Sequence, residues 1–333
     1  MPGRPRHLYL HCGWPRTGTT TIQALFTRHR AALAEAGIAY PLDWQMTGRD
    51  EAMGVVNQNG LARLLEPADG TQIADELRRT GEAHRGEAVL MSSEELITWR
   101  ASRGSRRPLK GLLASLQELA PLTCVATIRR VDDFLSSFYL HHMLGERPLL
   151  GPQHYFQQMR AYMDRLMTAM GELEADSEEC VHIRYKQSGA HQEDILRVVD
   201  IPAGLREQMV AELRRKPRLN ARLSKKTVAV LLHREAIAAR ADMPIPSEAL
   251  RRMHWAGELN FGDDGPCELL GPDLRRSLHD EALEAARRAG FHAYVEFFGN
   301  DEISAPEASA PEPELLLDED VDYLVDRLAE AQR

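Results

Sequence analysis

The chain has 333 residues, 43% of them hydrophobic, and a formal net charge of −9, which is enough apolar material for a sizeable core and gives no basic footprint for nucleic acid or an anionic membrane. No apolar run approaches the roughly 18 to 20 residues that span a bilayer, and MPGRPR passes into the first strand without the apolar stretch of a signal peptide. The four cysteines, Cys12, Cys124, Cys180 and Cys267, are far apart, so neither a zinc site nor a disulfide framework is expected, and a reduced, cytoplasmic setting is.

His7 to Cys12 is a short apolar run that suits a buried strand. Ile22, Leu25, Phe26 and Leu33 then recur at helical spacing, and Gly37 stands where a C-cap residue is expected. Between the two lies Gly13-Trp14-Pro15-Arg16-Thr17-Gly18-Thr19-Thr20, a strand-to-helix turn with a glycine at its start and another before the helix. Such a turn aims successive amides and the positive end of a helix at one point, where an anion would sit. A threonine-rich N-cap is the plainer reading of the same residues.

The position of the cation narrows the choice of anion. The nucleotide-triphosphatase loop carries a lysine directly after its second glycine; here that residue is Thr19, and the cation is Arg16 on the leading edge of the loop. The pattern P-[KR]-x-G-T-[TS] after a first strand resembles the 5′-phosphosulfate loop of sulfotransferases that use 3′-phosphoadenosine 5′-phosphosulfate (PAPS). The resemblance implies that Pro15, Arg16, Thr17, Gly18, Thr19 and Thr20 hold the cofactor's 5′ end without a metal.

Farther along, Ile38 to Pro41 reads as a short strand or an extended connection, and 42 to 60 as a long polar loop. A helix is expected from about Thr71 to His84, and a strand over Glu87 to Met91. Ser92-Ser93-Glu94-Glu95 opens the next helix, and another runs from about Leu109 to Leu119. Leu122 to Ile128, rich in β-branched residues, reads as a buried strand. Strands alternating with helices predict an α/β fold of three layers, P-loop-like, with a central, mostly parallel sheet flanked by helices and a helical C-terminal part. Ligands in such folds gather at the carboxyl ends of the strands, where Arg16, Glu94 and Arg129 all fall.

Arg129 to Tyr139 supplies a second resemblance, to the sulfotransferase element that binds the 3′-phosphate. It places the arginine at Arg129 and the serine at Ser137, with Asp133 and Tyr139 in the aspartate and aromatic places; Arg130 and Ser136 are the one-residue alternatives. By the same resemblance Tyr185-Lys186 ends a late strand, and the basic stretch Arg214 to Arg222 closes over the nucleotide. A solvated surface is the plainer reading of that stretch.

The catalytic candidates are Arg16, to offset charge on the leaving group, and Glu94, as general base. Glu94 follows the strand preceding Arg129, where part of the family has its base. Against this, Ser92-x-x-Glu95 also reads as a capping box. His141 and His142 are the reserve bases. A helix is expected over 152 to 170, a fourth strand over Cys180 to Tyr185, and three or so helices over 224 to 299. The expected organisation is one α/β domain over 1–300, an acidic Pro/Ala/Glu linker over 301–317 and a terminal helix over 318–333.

The function expected from the resemblance is sulfuryl transfer from PAPS to a hydroxyl or amine of a small-molecule or carbohydrate acceptor, leaving the bisphosphate PAP. A P-loop phosphotransferase and a non-catalytic nucleotide-binding scaffold are the alternatives. Acceptor identity and oligomeric state stay open.

Overall fold

A computed structural model describes residues 4–42, 55–65, 78–79, 82–84, 86–103, 109–143, 152–186, 188–215, 224–256, 261, 269–303 and 316–332. The expected helix at 71–84 lies largely outside them, as do most of the 42–60 loop, the basic residues after Arg215 and the linker.

Five strands, β1 (His7–Gly13), β2 (Ile38–Ala39), β3 (Ala88–Ser92), β4 (Leu122–Ile128) and β5 (Glu179–Arg184), form one sheet in the order β2-β3-β1-β4-β5. All four pairings are parallel, so the sheet is fully parallel. The central strands β3 and β4 are buried at every position, because crossover helices cover both faces.

The N-terminal helices are α1 (Thr19–Arg28) and α2 (Arg30–Glu35), a single expected helix that breaks at His29. After them come α3 (Glu95–Arg103), α4 (Leu109–Gln117), α5 (Val131–Met143), α6 (Pro152–Asp176), α7 (Ala190–Val198) and α8 (Ala203–Arg215). The C-terminal part holds α9 (Lys225–Leu232), α10 (Arg234–Arg240), α11 (Ser247–Ala256), α12 (Pro272–Ala289), α13 (His292–Phe298) and α14 (Asp318–Gln332). The helix expected at 152–170 continues to Asp176. The stretch 224–299 is divided more finely than expected, with helix breaks at His233 and after Arg240.

The chain divides into two compact units. The first comprises Met1–Arg130, Arg160–Pro217 and Asp280–Asp301; the second comprises Val131–Met159, Arg218–His279 and Glu302–Arg333. In the first unit, Ile22, Leu25 and Phe26 of α1 pack with Ile195 and Leu196 of α7 against Leu90, Val125 and Ile183 of the sheet. On the opposite face Trp14 stacks on Tyr294 with ring centroids 5.7 Å apart. This double-sided packing anchors both ends of the loop between β1 and α1.

The second unit is held partly by charge. Arg275 reaches buried Asp132 at 2.8 Å, and Lys226 reaches Asp320 on α14 at 2.8 Å. Leu324 and Leu328 of α14 are buried, so the terminal helix is a packed part of this unit.

Candidate functional site

The loop from Gly13 to Thr20 leaves the carboxyl end of the central strand. Strand order places β3 on one side of it and β4 on the other, where connections depart in opposite directions and an α/β sheet opens a crevice. Gly13 is required by contact: a Cβ there would lie 2.6 Å from the Thr127 carbonyl oxygen of β4. Gly18, the N-cap of α1, is required by conformation, with φ at 81°. Arg16 adopts φ 65° without being glycine, a backbone strain of the kind that concentrates at functional sites.

Thr17 Oγ1 donates to the Trp14 carbonyl at 2.6 Å and closes the turn. No side chain caps α1. Among the described residues, no protein group accepts from the backbone amides of Thr17, Gly18, Thr19 and Thr20. Four successive amides at a helix start, without a protein acceptor among the described residues, suit a phosphate-like anion.

Two guanidinium groups converge beside these amides. Arg129, just past β4, donates from one terminal nitrogen to the Arg16 carbonyl at 3.1 Å and lies over the Tyr185 ring, 4.5 Å from its centroid. Burial pushes the Arg16 pKa down to about 10, with Arg129 adding to the shift and Glu94 and Tyr185 opposing it. Arg16 keeps partial solvent exposure, and screening there limits the effect; the side chain stays cationic near neutral pH. Like charges placed this close favour an anionic partner.

Glu94 accepts a hydrogen bond from Thr19 Oγ1 at 2.7 Å, which sets its carboxylate at the rim of the loop. The capping-box reading of Ser92 does not hold. Ser92 Oγ is engaged with His11 Nδ1 at 2.8 Å and with Gln23 Nε2 at 3.2 Å, and the Glu95 amide turns to Asn59 Oδ1 at 3.4 Å. Burial pushes the His11 pKa down to about 3, with His191 adding to the shift, so His11 is neutral and serves as a structural post beneath the loop. Two further buried hydroxyls, Ser93 and Thr127, lie at these strand ends with no partner among the described residues.

Helix α7 also reaches the loop. His191 Nε2 meets the Thr17 carbonyl at 2.9 Å, and its ring lies 4.8 Å from that of Tyr185. Burial lowers the His191 pKa, while its bonds to the Thr17 and Lys186 backbone oppose the shift.

The structure thus gathers Pro15, Arg16, Thr17, Gly18, Thr19, Thr20, Glu94 and Arg129 at one sheet edge in the first unit. It separates the one-residue alternatives: Arg130 pairs with Asp301 at 3.5 Å, and Ser136 Oγ bonds back to the Asp132 carbonyl at 2.9 Å. Ser137 lies on α5 and belongs to the second unit. So do the reserve bases His141 and His142; the latter contacts Tyr155 Oη at 2.9 Å. Of the residues the site adds, Tyr185 carried a signal at the end of a strand. His191, early in a later helix, carried none.

No family model matches the chain, and no curated protein does. Among solved structures the chain is similar to a crystal structure of retinol dehydratase in a complex with retinol and PAP. The identity is 14%, the match covers 92% of this chain and 85% of that one, and the TM-score is 0.28; a likeness at that level carries no argument about this chain.

Proposed function

We propose that the chain is a sulfotransferase that moves a sulfuryl group from PAPS to a hydroxyl or amine of a small-molecule or carbohydrate acceptor. The observation that carries this reading is the bare amide run Thr17–Thr20 flanked by the cations Arg16 and Arg129, with no lysine after Gly18. A metal-dependent nucleotide loop would need that lysine. The donor set here, amides and guanidinium groups, suits a 5′-phosphate with a neighbouring oxyanion. Arg129, at the same strand end as the loop, is assigned to the 3′-phosphate.

The acceptor oxygen or nitrogen attacks sulfur, the bond from sulfur to the bridging oxygen breaks, and the electron pair leaves with the bisphosphate. Arg16 offsets the charge growing on that bridging oxygen; being an arginine, it contributes charge and no proton. Glu94 takes the acceptor's proton, and the bond from Thr19 orients its carboxylate for this. The chain's own work is positioning and charge stabilisation, as in phosphoryl transfer.

The test is calorimetric titration with adenosine 3′,5′-bisphosphate and with ATP plus magnesium, in wild type and Arg129→Ala. Micromolar binding of the bisphosphate without metal is expected. The variant should weaken it about a hundredfold, the scale of lost charge-assisted bonds. Tighter binding of ATP with magnesium, or indifference to Arg129, overturns the proposal in favour of a phosphotransferase or a scaffold.

A further inference from the structure

In the loop at the sheet edge three carbonyls are held, one from within the loop and two from outside it. Trp14 O accepts from Thr17 Oγ1, Arg16 O from Arg129 and Thr17 O from His191. A trans peptide points its carbonyl and its amide in opposite directions, and no peptide here is cis. Holding Arg16 O therefore turns the Thr17 amide to the other side, and holding Thr17 O does the same for the Gly18 amide. The amides that face the anion are set by what grips the carbonyls behind them.

We infer that His191 is a positioning residue of the anion loop, fixing the Thr17–Gly18 peptide so that the Gly18 amide is presented to the 5′-phosphate. It touches no substrate and acts through the Thr17 carbonyl. Three observations converge on it. The ring is buried, 2% exposed. Its Nδ1 is placed against the Lys186 backbone, 3.3 Å from the amide nitrogen and 3.0 Å from the carbonyl oxygen. The Thr17 carbonyl can only accept, so the bond requires the proton on Nε2; in the neutral ring Nδ1 then accepts from the Lys186 amide, and a protonated ring donates to both carbonyls. A side chain at Gly18 would meet this same grip, its Cβ falling 3.3 Å from His191 Nε2 and 3.0 Å from Gln192 Nε2.

The inference rests on the proposed site, and its test separates the two. Calorimetry compares adenosine 3′,5′-bisphosphate with adenosine 3′-monophosphate in wild type, His191→Gln, His191→Met and His191→Leu. Glutamine keeps a donor that can reach the carbonyl; methionine has nearly its shape without the donor, and leucine is a second donor-free variant. Expected is a loss of about tenfold in bisphosphate affinity for the methionine and leucine variants, the worth of one orienting hydrogen bond. Affinity for the monophosphate should be unchanged, and the glutamine variant should behave like wild type. If both ligands weaken together, or if no variant differs from wild type, the clamp is overturned and the proposed site stands. If wild type shows no preference for the bisphosphate over the monophosphate, the anion-loop reading falls and the clamp falls with it.

Discussion

Two helix starts in this chain carry hydroxyl side chains and use them in opposite ways. At α9 the N-cap Ser224 is extended, with φ −69° and ψ 162°, and its Oγ accepts from the Thr227 amide at 3.1 Å. The helix satisfies one of its orphan amides from within its own first turn. At α1 the N-cap is Gly18 in the left-handed region, and hydroxyls on either side of it are turned elsewhere, Thr17 to Trp14 and Thr19 to Glu94. A cap that bonded its own amides would occupy the ground an incoming anion needs. Threonine-rich composition alone therefore does not make a helix start self-sufficient; what decides is the direction in which neighbouring strands and helices draw the hydroxyls.

The most forceful way to break this contrast is Gly18→Ser, which offers α1 a cap like that of α9. A left-handed φ and a Cβ within 3.0 Å of Gln192 Nε2 oppose it. Bisphosphate affinity is expected to fall by about two orders of magnitude, with roughly 1 to 3 kcal/mol of folding stability lost to the strained backbone. Unchanged affinity in the titration would end the contrast.

A second probe addresses the buried polar floor beneath the loop. His11 has a folded pKa of about 3 against an ordinary value of 6.5. The unfolded chain therefore takes up the proton first. This penalty is absent above about pH 6.5 and grows as pH falls toward 3, at about 1.4 kcal/mol per pH unit. Between pH 7 and 5 the chain should lose about 2 kcal/mol on this account. Denaturant melts of wild type and His11→Gln should show the loss, with a flatter slope in the variant.

Thr19→Val sharpens the division of labour in the loop, because it removes the donor to Glu94 and leaves the backbone amide in place. Turnover with PAPS and an acceptor is expected to drop about tenfold, while bisphosphate affinity moves by less than about twofold. Equal losses in both would mean that the hydroxyl contacts the phosphate. The smallest effect belongs to the other helix start: Ser224→Ala should cost about 1 kcal/mol in a chemical melt and leave nucleotide binding unchanged.

Much of this site was legible before the fold was known because its parts are local. A strand, a turn bracketed by glycines and an amphipathic helix are short-range patterns, and Arg16 through Thr20 form one contiguous run. Arg129 was named through the resemblance, on a segment that follows a strand directly. That Arg130 pairs with Asp301 while Arg129 turns to the loop was not legible, since it depends on a residue far along the chain. Nor was the function of Ser92, which reads as a cap from spacing and serves instead as a hydrogen-bond partner for His11 and Gln23. A side chain with two polar neighbours within reach takes the one that burial presents.

The sequence by itself determined the α/β class, the parallel strands β1, β3, β4 and β5, and the loop with its leading-edge arginine, because hydrophobic period and glycine placement act over a few residues. The tertiary structure alone decided that β3 and β4 flank β1, that a histidine far along the chain grips the loop from behind, and that the hydroxyls of Thr17 and Thr19 turn away from the first amides of α1. Apart from the Thr17 bond to Trp14 inside the loop, those outcomes depend on which distant groups are packed within hydrogen-bond reach, and no spacing within the loop encodes that.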